Sequence, residues 1–270
     1  MGYDYGTPKT IYGPLVDLNI TGTSERYRPG FRQLLRNTKD RKTDISLQIE
    51  HFSSTTSFDD FLNYRETVMG YTLGISDMYR TANTVRFLSL GYQTGNAGVG
   101  SNPIFDDFEY HHYHLLTAGL TKVWYPCSHW TFLVKANAQW GLSRLSQSRI
   151  FQIGGMATVR GCPEGLMTGD SGYFLNFEAR RRVLNFRDKA FVEAFAFFDH
   201  GGVFNRVYPV DDQPSDYLFS LGCGLNLTWS RYISSTLGYG HPIFTAASHR
   251  DDYRDKLHHG NGYFTVRVQF

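Results

Sequence analysis

Tyr217-Leu218-Phe219-Ser220-Leu221-Gly222-Cys223-Gly224-Leu225-Asn226-Leu227-Thr228-Trp229-Ser230 places Tyr217, Phe219, Leu221, Cys223, Leu225, Leu227 and Trp229 on one parity. Ser220, Gly222, Gly224, Asn226, Thr228 and Ser230 fall on the other with Leu218. Side chains of a strand point alternately to its two faces, so this spacing predicts one apolar and one polar face. The run is long for a soluble sheet, whose strands average about 5–6 residues. It suits a tilted membrane-crossing strand of about 9–11 residues with aromatic side chains at both ends.

The same period recurs on either side. In residues 44–51, Ile45, Leu47 and Ile49 oppose Ser46, Gln48 and Glu50. In residues 132–142, Phe132, Val134, Ala136, Ala138, Trp140 and Leu142 oppose Lys135, Asn137 and Gln139. Weaker versions near 15–27, 61–78, 83–94, 111–125, 172–184, 190–204, 232–244 and 263–270 bring the expectation to about eleven strands. Short hydrophilic connections such as 185–189 alternate with long ones such as 93–109 and 245–261, as between the two rims of an outer-membrane barrel.

Composition agrees. The chain has 270 residues, 16% of them aromatic, with 27 glycines and a net charge of +2. Mean hydropathy is −0.36, and no apolar run is long enough for a membrane helix. A barrel is compatible with that average, because only every second side chain of its strands faces lipid. A soluble β-sandwich or lipocalin-like barrel also alternates, but this many long strands would need a second apolar layer that the sequence does not supply. The fold class expected is therefore all-β, a transmembrane antiparallel β-barrel of the bacterial outer membrane, with lipid as one partner.

Other functional classes find little support. Cys127, Cys162 and Cys223 lack the paired spacing of a zinc or redox site and read as packing residues. His111, His112, His114, His258 and His259 form no recognisable ligand set. No nucleophile elbow, zinc-protease helix or phosphate-cradling glycine loop is present, so neither enzyme activity nor a cofactor or metal is expected. No basic stripe argues for nucleic acid.

The final segment alternates Phe264, Val266, Val268 and Phe270 with Thr265, Arg267 and Gln269. It resembles the terminal signal that outer-membrane proteins present to the barrel assembly machinery, which makes that machinery an expected partner. A more specific segment is Phe151-Gln152-Ile153-Gly154-Gly155-Met156-Ala157-Thr158-Val159-Arg160-Gly161-Cys162-Pro163-Glu164-Gly165, followed by Thr168-Gly169-Asp170-Ser171-Gly172. It resembles the inward-folded sixth loop of the outer-membrane assembly and secretion superfamily through Gly154, Gly155, Val159, Arg160 and Gly161. Gly169-Asp170 matches the secretion branch, and Cys162 stands where an aromatic is usual. Downstream, Phe198-Asp199-His200-Gly201-Gly202-Val203 resembles the superfamily's Phe-x-Asp-x-Gly strand motif. Gly238-Tyr239-Gly240-His241-Pro242 resembles the penultimate strand of secretion-type members.

An arginine carried into a barrel on a long loop needs an acidic partner, because an unpaired guanidinium in a semi-buried site is costly. Glu193 and Asp199 share one parity of their strand, so both carboxylates can face the lumen. The resemblance assigns Asp199 to Arg160 as the clasp that holds the loop, and bidentate pairing would fix its orientation. Glu178, Arg180 and Arg182 share one parity of the strand after the loop and are candidates for lining the lumen.

What the resemblance implies is a two-partner secretion transporter of the haemolysin activator/secretion type, exporting a large unfolded exoprotein of haemolysin or adhesin type. An assembly factor that inserts other barrels is the alternative, since the Val-Arg-Gly motif occurs in both branches; a membrane anchor of a truncated fusion protein is another. The family layout puts two periplasmic domains before a sixteen-stranded barrel. Residues 1–270 are accordingly expected to be a partial barrel covering about strands six to sixteen, with a lumen-plugging loop at about 145–171 and the periplasmic domains absent. The N-terminus shows no secretory signal pattern.

Overall fold

A computed structural model describes residues 2–6, 21–58, 62–100, 109–186, 190–205, 216–229, 232–246 and 259–269. Residues 217–229 of the long alternating run lie in one strand, Asp216–Trp229. Leu221, Leu225 and Trp229 are 50%, 47% and 61% exposed, whereas Leu218 and Ser220 are fully buried on the opposite face. The period-two pattern thus separates an apolar outer face from an inner one.

In chain order the strands are β1 (Gly2–Gly6), β2 (Thr21–Arg28), β3 (Gly30–Asn37), β4 (Arg41–Phe58), β5 (Leu62–Arg80), β6 (Thr84–Gly100), β7 (Glu109–Cys127) and β8 (Trp130–Gly141). After a loop holding two three-residue strands, β9 (Phe151–Ile153) and β10 (Met167–Gly169), come β11 (Ser171–Phe186), β12 (Ala190–Phe204), β13 (Asp216–Trp229), β14 (Ile233–Ala246) and β15 (Asn261–Val268). Thirteen form one sheet, ordered β1-β2-β4-β5-β6-β7-β8-β11-β12-β13-β14-β15 with β3 also on β4; β9 and β10 form a separate hairpin. All pairings in the large sheet are between antiparallel strands. Such meandering neighbours need only short connections on one rim.

The strand count exceeds the expected eleven for two reasons. β1 has no long apolar alternation and went unread. β2 and β3 hold one continuous register on β4, from Tyr27 opposite His51 to Gly30 opposite Gln48. Pro29 interrupts them because it has no amide hydrogen to give, although its carbonyl accepts from Ile49 at 2.9 Å. The thirteen strands therefore lie along twelve lines.

A second correction concerns residues 93–100, expected as loop but paired throughout as the end of β6. Gly95, Asn96, Ala97, Gly98 and Gly100 carry little apolar surface, so periodicity could not reveal them; the backbone ladder holds them. Likewise β14 runs to Ala246 and β15 begins at Asn261, so both ends of the predicted 245–261 connection belong to strands.

The outer face is lined by exposed apolar side chains. Leu47, Ile49, Leu73, Ile75, Leu90, Leu116, Leu175, Leu225 and Leu237 are all exposed on it. Near the short-turn rim Phe132 stacks between Trp124, Trp130 and Phe177, with centroids 5.6, 5.9 and 6.1 Å away. That is the placement of an interfacial aromatic girdle. Among the described residues no helix is long and apolar enough to cross a membrane.

Candidate functional site

Residues 142–170 leave β8 at the rim of long connections and fold over the inner face. The loop is shaped from within. β9 pairs with β10 from Phe151–Gly169 to Ile153–Met167, and the chain between them turns on left-handed glycines. Gly155 has φ +88°, and a β-carbon there would lie 2.0 Å from the Glu164 carboxylate, which accepts the Met156 amide at 2.9 Å. The neighbouring Gly154 amide donates to the Thr158 hydroxyl, which donates back to the Gly154 carbonyl, each at 2.9 Å.

Val159 points down into a buried cluster with Ile153, Cys162 and Met167 of the loop and Val203 and Leu218 of the wall. Cys162 belongs to this cluster. A cysteine behaves there as a small hydrophobe, and burial followed by the nearby Asp199 charge pushes its thiol pKa up to about 12.

Turned the other way, Arg160 meets the wall. Its Nε donates to Asp199 Oδ2 at 2.7 Å and its Nη2 to Oδ1 at 2.8 Å, a bidentate fork. The Arg160 backbone amide donates to the same Oδ2 at 3.0 Å. Nη1 donates to Glu178 Oε2, and the guanidinium carbon lies 3.7 Å from the Phe197 ring centre. Asp199 is 0% and Glu178 4% exposed. Burial alone would lower the arginine's pKa, but the Asp199 and then Glu178 carboxylates hold it above its ordinary value.

The remaining contacts seat the loop tip. Gly161, at φ +87°, lies so close to β14 that a β-carbon would sit 2.5 Å from the Gly240 carbonyl carbon. Asn261 Nδ2 donates to the Gly161 carbonyl at 2.8 Å. Asn176 and Lys135 donate to the Thr158 and Ala157 carbonyls.

Arg180 joins the cluster through Glu178 Oε1 at 2.5 Å. Arg182 and Glu193 lie opposite each other in register on β11 and β12, nearer the short-turn rim, where Arg182 stacks over Phe191 at 4.2 Å. Phe264, Val266 and Val268 are exposed on the outer face; Phe270 lies outside the described residues. So does His258. His111 alternates with His112 and His114 on β7 and so points to the other face. His114 Nδ1 bonds the Tyr92 hydroxyl at 2.8 Å and Thr94 Oγ1 at 3.0 Å.

Sequence reasoning missed two parts of the site. Phe195 and Phe197 share the parity of Asp199 and are buried, fitted above glycines of β13. A β-carbon at Gly222 would lie 2.1 Å from Phe197 Cζ, and one at Gly224 would lie 2.4 Å from Phe195 Cζ. The glycines at alternate positions of β13 were the available signal. The second part is a set of contacts at residues 148–149. Ser148 Oγ donates to Glu66 Oε1 at 2.5 Å and Arg149 Nη2 to Glu50 Oε2 at 2.7 Å. No motif marks these residues.

Among solved structures, CdiB from Escherichia coli matches with a TM-score of 0.74 at 21% identity, covering 93% of this chain and 46% of that one. CdiB from Acinetobacter baumannii matches with a TM-score of 0.71 at 17% identity, covering 99% and 48% respectively. The chain thus spans about half the length of either, and at this identity the likeness concerns the fold. A search of curated proteins finds no match. In sequence, residues 2–227 match the family described as "Haemolysin secretion/activation protein ShlB/FhaC/HecB". With its apolar-faced barrel strands and wall-bound loop, the chain is a bacterial outer-membrane protein and belongs to the ShlB/FhaC/HecB family of haemolysin secretion/activation proteins.

Proposed function

We propose that the chain forms part of a two-partner secretion transporter, passing a large unfolded exoprotein of haemolysin or adhesin type across the outer membrane without nucleotide or cofactor. The observation that carries this reading is the Arg160 clasp, which holds a long loop across the inner face of a barrel wall in a member of a secretion family. Held there, the loop plugs the lumen; secretion needs the tip to leave Asp199 and Glu178 and to seat on them again with each passage, so a tip that can no longer seat fails as one that can no longer leave does. The inner wall suits a varied polypeptide. Glu178, Arg180, Arg182, Glu193 and Lys135 mix both signs, so no single-sign field retains a charged segment. Outside, the apolar face meets outer-membrane lipid, and β15 with Phe264, Val266 and Val268 is the part offered to the barrel assembly machinery.

The test is Arg160→Ala in cells that express the exoprotein. The expected result is loss of secretion while the protein still shifts on gels after boiling, the mark of an inserted barrel. Unchanged secretion overturns the reading.

A further inference from the structure

The loop is fastened to two different walls, and only one fastening lies in its motif. From β8 the chain first crosses toward β4–β7. Leu145 packs on the buried cluster of Phe52, Val68, Ala97, Tyr113 and Leu115. Ser148 donates to Glu66 through both its hydroxyl and its amide, at 2.5 and 3.3 Å. Arg149 pairs with Glu50 at 2.7 Å, reaches Gln93 at 3.4 Å and lies over the Tyr113 ring at 5.6 Å. Glu50 is itself held from behind by Arg26 at 3.1 Å. Only after this does the chain double back to seat its tip on β11–β14.

We propose that Arg149 and Ser148, with Glu50 and Glu66, are a second clasp that keeps the first limb of the loop on the β4–β7 wall while the tip leaves Asp199. Arg149 is then a positioning residue. The physical reason is the cost of undoing both sites together. Each holds carboxylates buried to 8% exposure or less, and parting such a carboxylate from its donor gives up a charge-assisted hydrogen bond. Motion confined to one site parts only two of the four carboxylates from their donors. The geometry favours the tip as the moving part. Left-handed glycines at 154, 155, 161 and 165 lie between the first limb and the tip or within the tip itself, where a hinge can absorb backbone rotation.

The inference rests on the transport reading, and two cysteine locks separate their failures. In a background free of Cys127, Cys162 and Cys223, one variant carries Leu145→Cys with Ala97→Cys, which ties the first limb to its wall. The other carries Thr158→Cys with Asn176→Cys, which ties the tip. Each is closed with a reductant-cleavable bifunctional thiol reagent, and exoprotein secretion is compared before and after closure. The first lock is expected to leave secretion within about two-fold and the second to cut it about ten-fold or more, as for a gating lid. Loss of secretion in both overturns the second clasp and leaves a moving loop in place. Loss in neither, with cross-links formed, removes the gate and the second clasp with it. Bilayer conductance gives an independent readout: adding Arg149→Ala to Arg160→Ala should raise conductance about two-fold by freeing the limb left in the lumen, and an unchanged value counts against the proposal.

Discussion

The Arg160 guanidinium lies 3.7 Å above the Phe197 ring while its two edges face Asp199 and Glu178, so one side chain is held by an aromatic face and two carboxylates at once. Phe197 can lie flat there because Gly222 beneath it has no side chain. The same site therefore depends on β12 for the ring and the aspartate, on β11 for the glutamate and on β13 for the space.

Arg160→Lys removes the fork and the flat cation while keeping the charge. An ammonium cannot span both Asp199 oxygens as a planar fork does. With a charged hydrogen bond contributing about 1.5–3 kcal/mol, the ratio of seated to released loop should fall roughly ten- to a hundred-fold. Bilayer recordings check this as a rise in open events; an unaltered record would show that charge alone seats the loop.

Phe197→Leu keeps an apolar side chain but gives up the ring. A desolvated cation–π contact contributes about 2 kcal/mol or more, so the released population should rise roughly thirty-fold. Asp199 and Glu178 remain, so release should be less complete than in Arg160→Ala. Equal open probabilities for the two variants would contradict this ordering.

Gly161→Ala and Gly240→Ala test the close approach of tip and β14 from its two sides. At Gly161 the added carbon meets both a left-handed φ and the Gly240 backbone at 2.5 Å; at Gly240 the nearest atom, the Gly161 nitrogen, is 2.9 Å away. Strained backbone of this kind costs on the order of 1–3 kcal/mol. Gly161→Ala should loosen the tip more than Gly240→Ala, read as faster proteolysis of the loop. The reverse order would mean that the tip does not seat against β14.

Cys162 supplies a native reporter of loop position. Burial pushes its pKa up to about 12, and the thiolate is the reactive form. At pH 8 maleimide should therefore leave Cys162 unmodified in a Cys127→Ser, Cys223→Ser background, with labelling growing only as pH rises toward that value. Adding Arg160→Ala frees the tip and should bring labelling at pH 8, seen as a mass shift. Rapid labelling with the clasp intact would place Cys162 outside the buried cluster.

Legibility in the sequence followed how each feature is encoded. Strands such as β13 announce themselves because lipid demands an apolar side chain at every outward position, which is every second residue. The end of β6 does not, since Gly95, Ala97 and Gly98 are held by backbone pairing and covered from inside. Arg160 and Asp199 stand in motifs and have opposite charges, whereas Phe197 looked like one more aromatic of an apolar strand. Its inward role required the parity of Asp199 to be extended by one position and set against the glycines of β13. Arg149 had no such clue, because Glu50 and Glu66 lie 99 and 82 residues away from their loop partners, and only folding brings them together.

The two faces of β13 provide the most direct check that the chain crosses lipid. Leu225 points outward and is 47% exposed, while its neighbour Asn226 lies on the opposite parity and points inward, in register with Glu193. An arginine on the lipid face near the membrane midplane costs about 2–4 kcal/mol, and one facing a polar lumen far less. Leu225→Arg should therefore reduce the heat-modifiable band in outer-membrane extracts, and Asn226→Arg should leave it. A charge-tolerant Leu225 would mean that this face is covered by protein or water rather than acyl chains, and the assignment of the two faces would have to be exchanged.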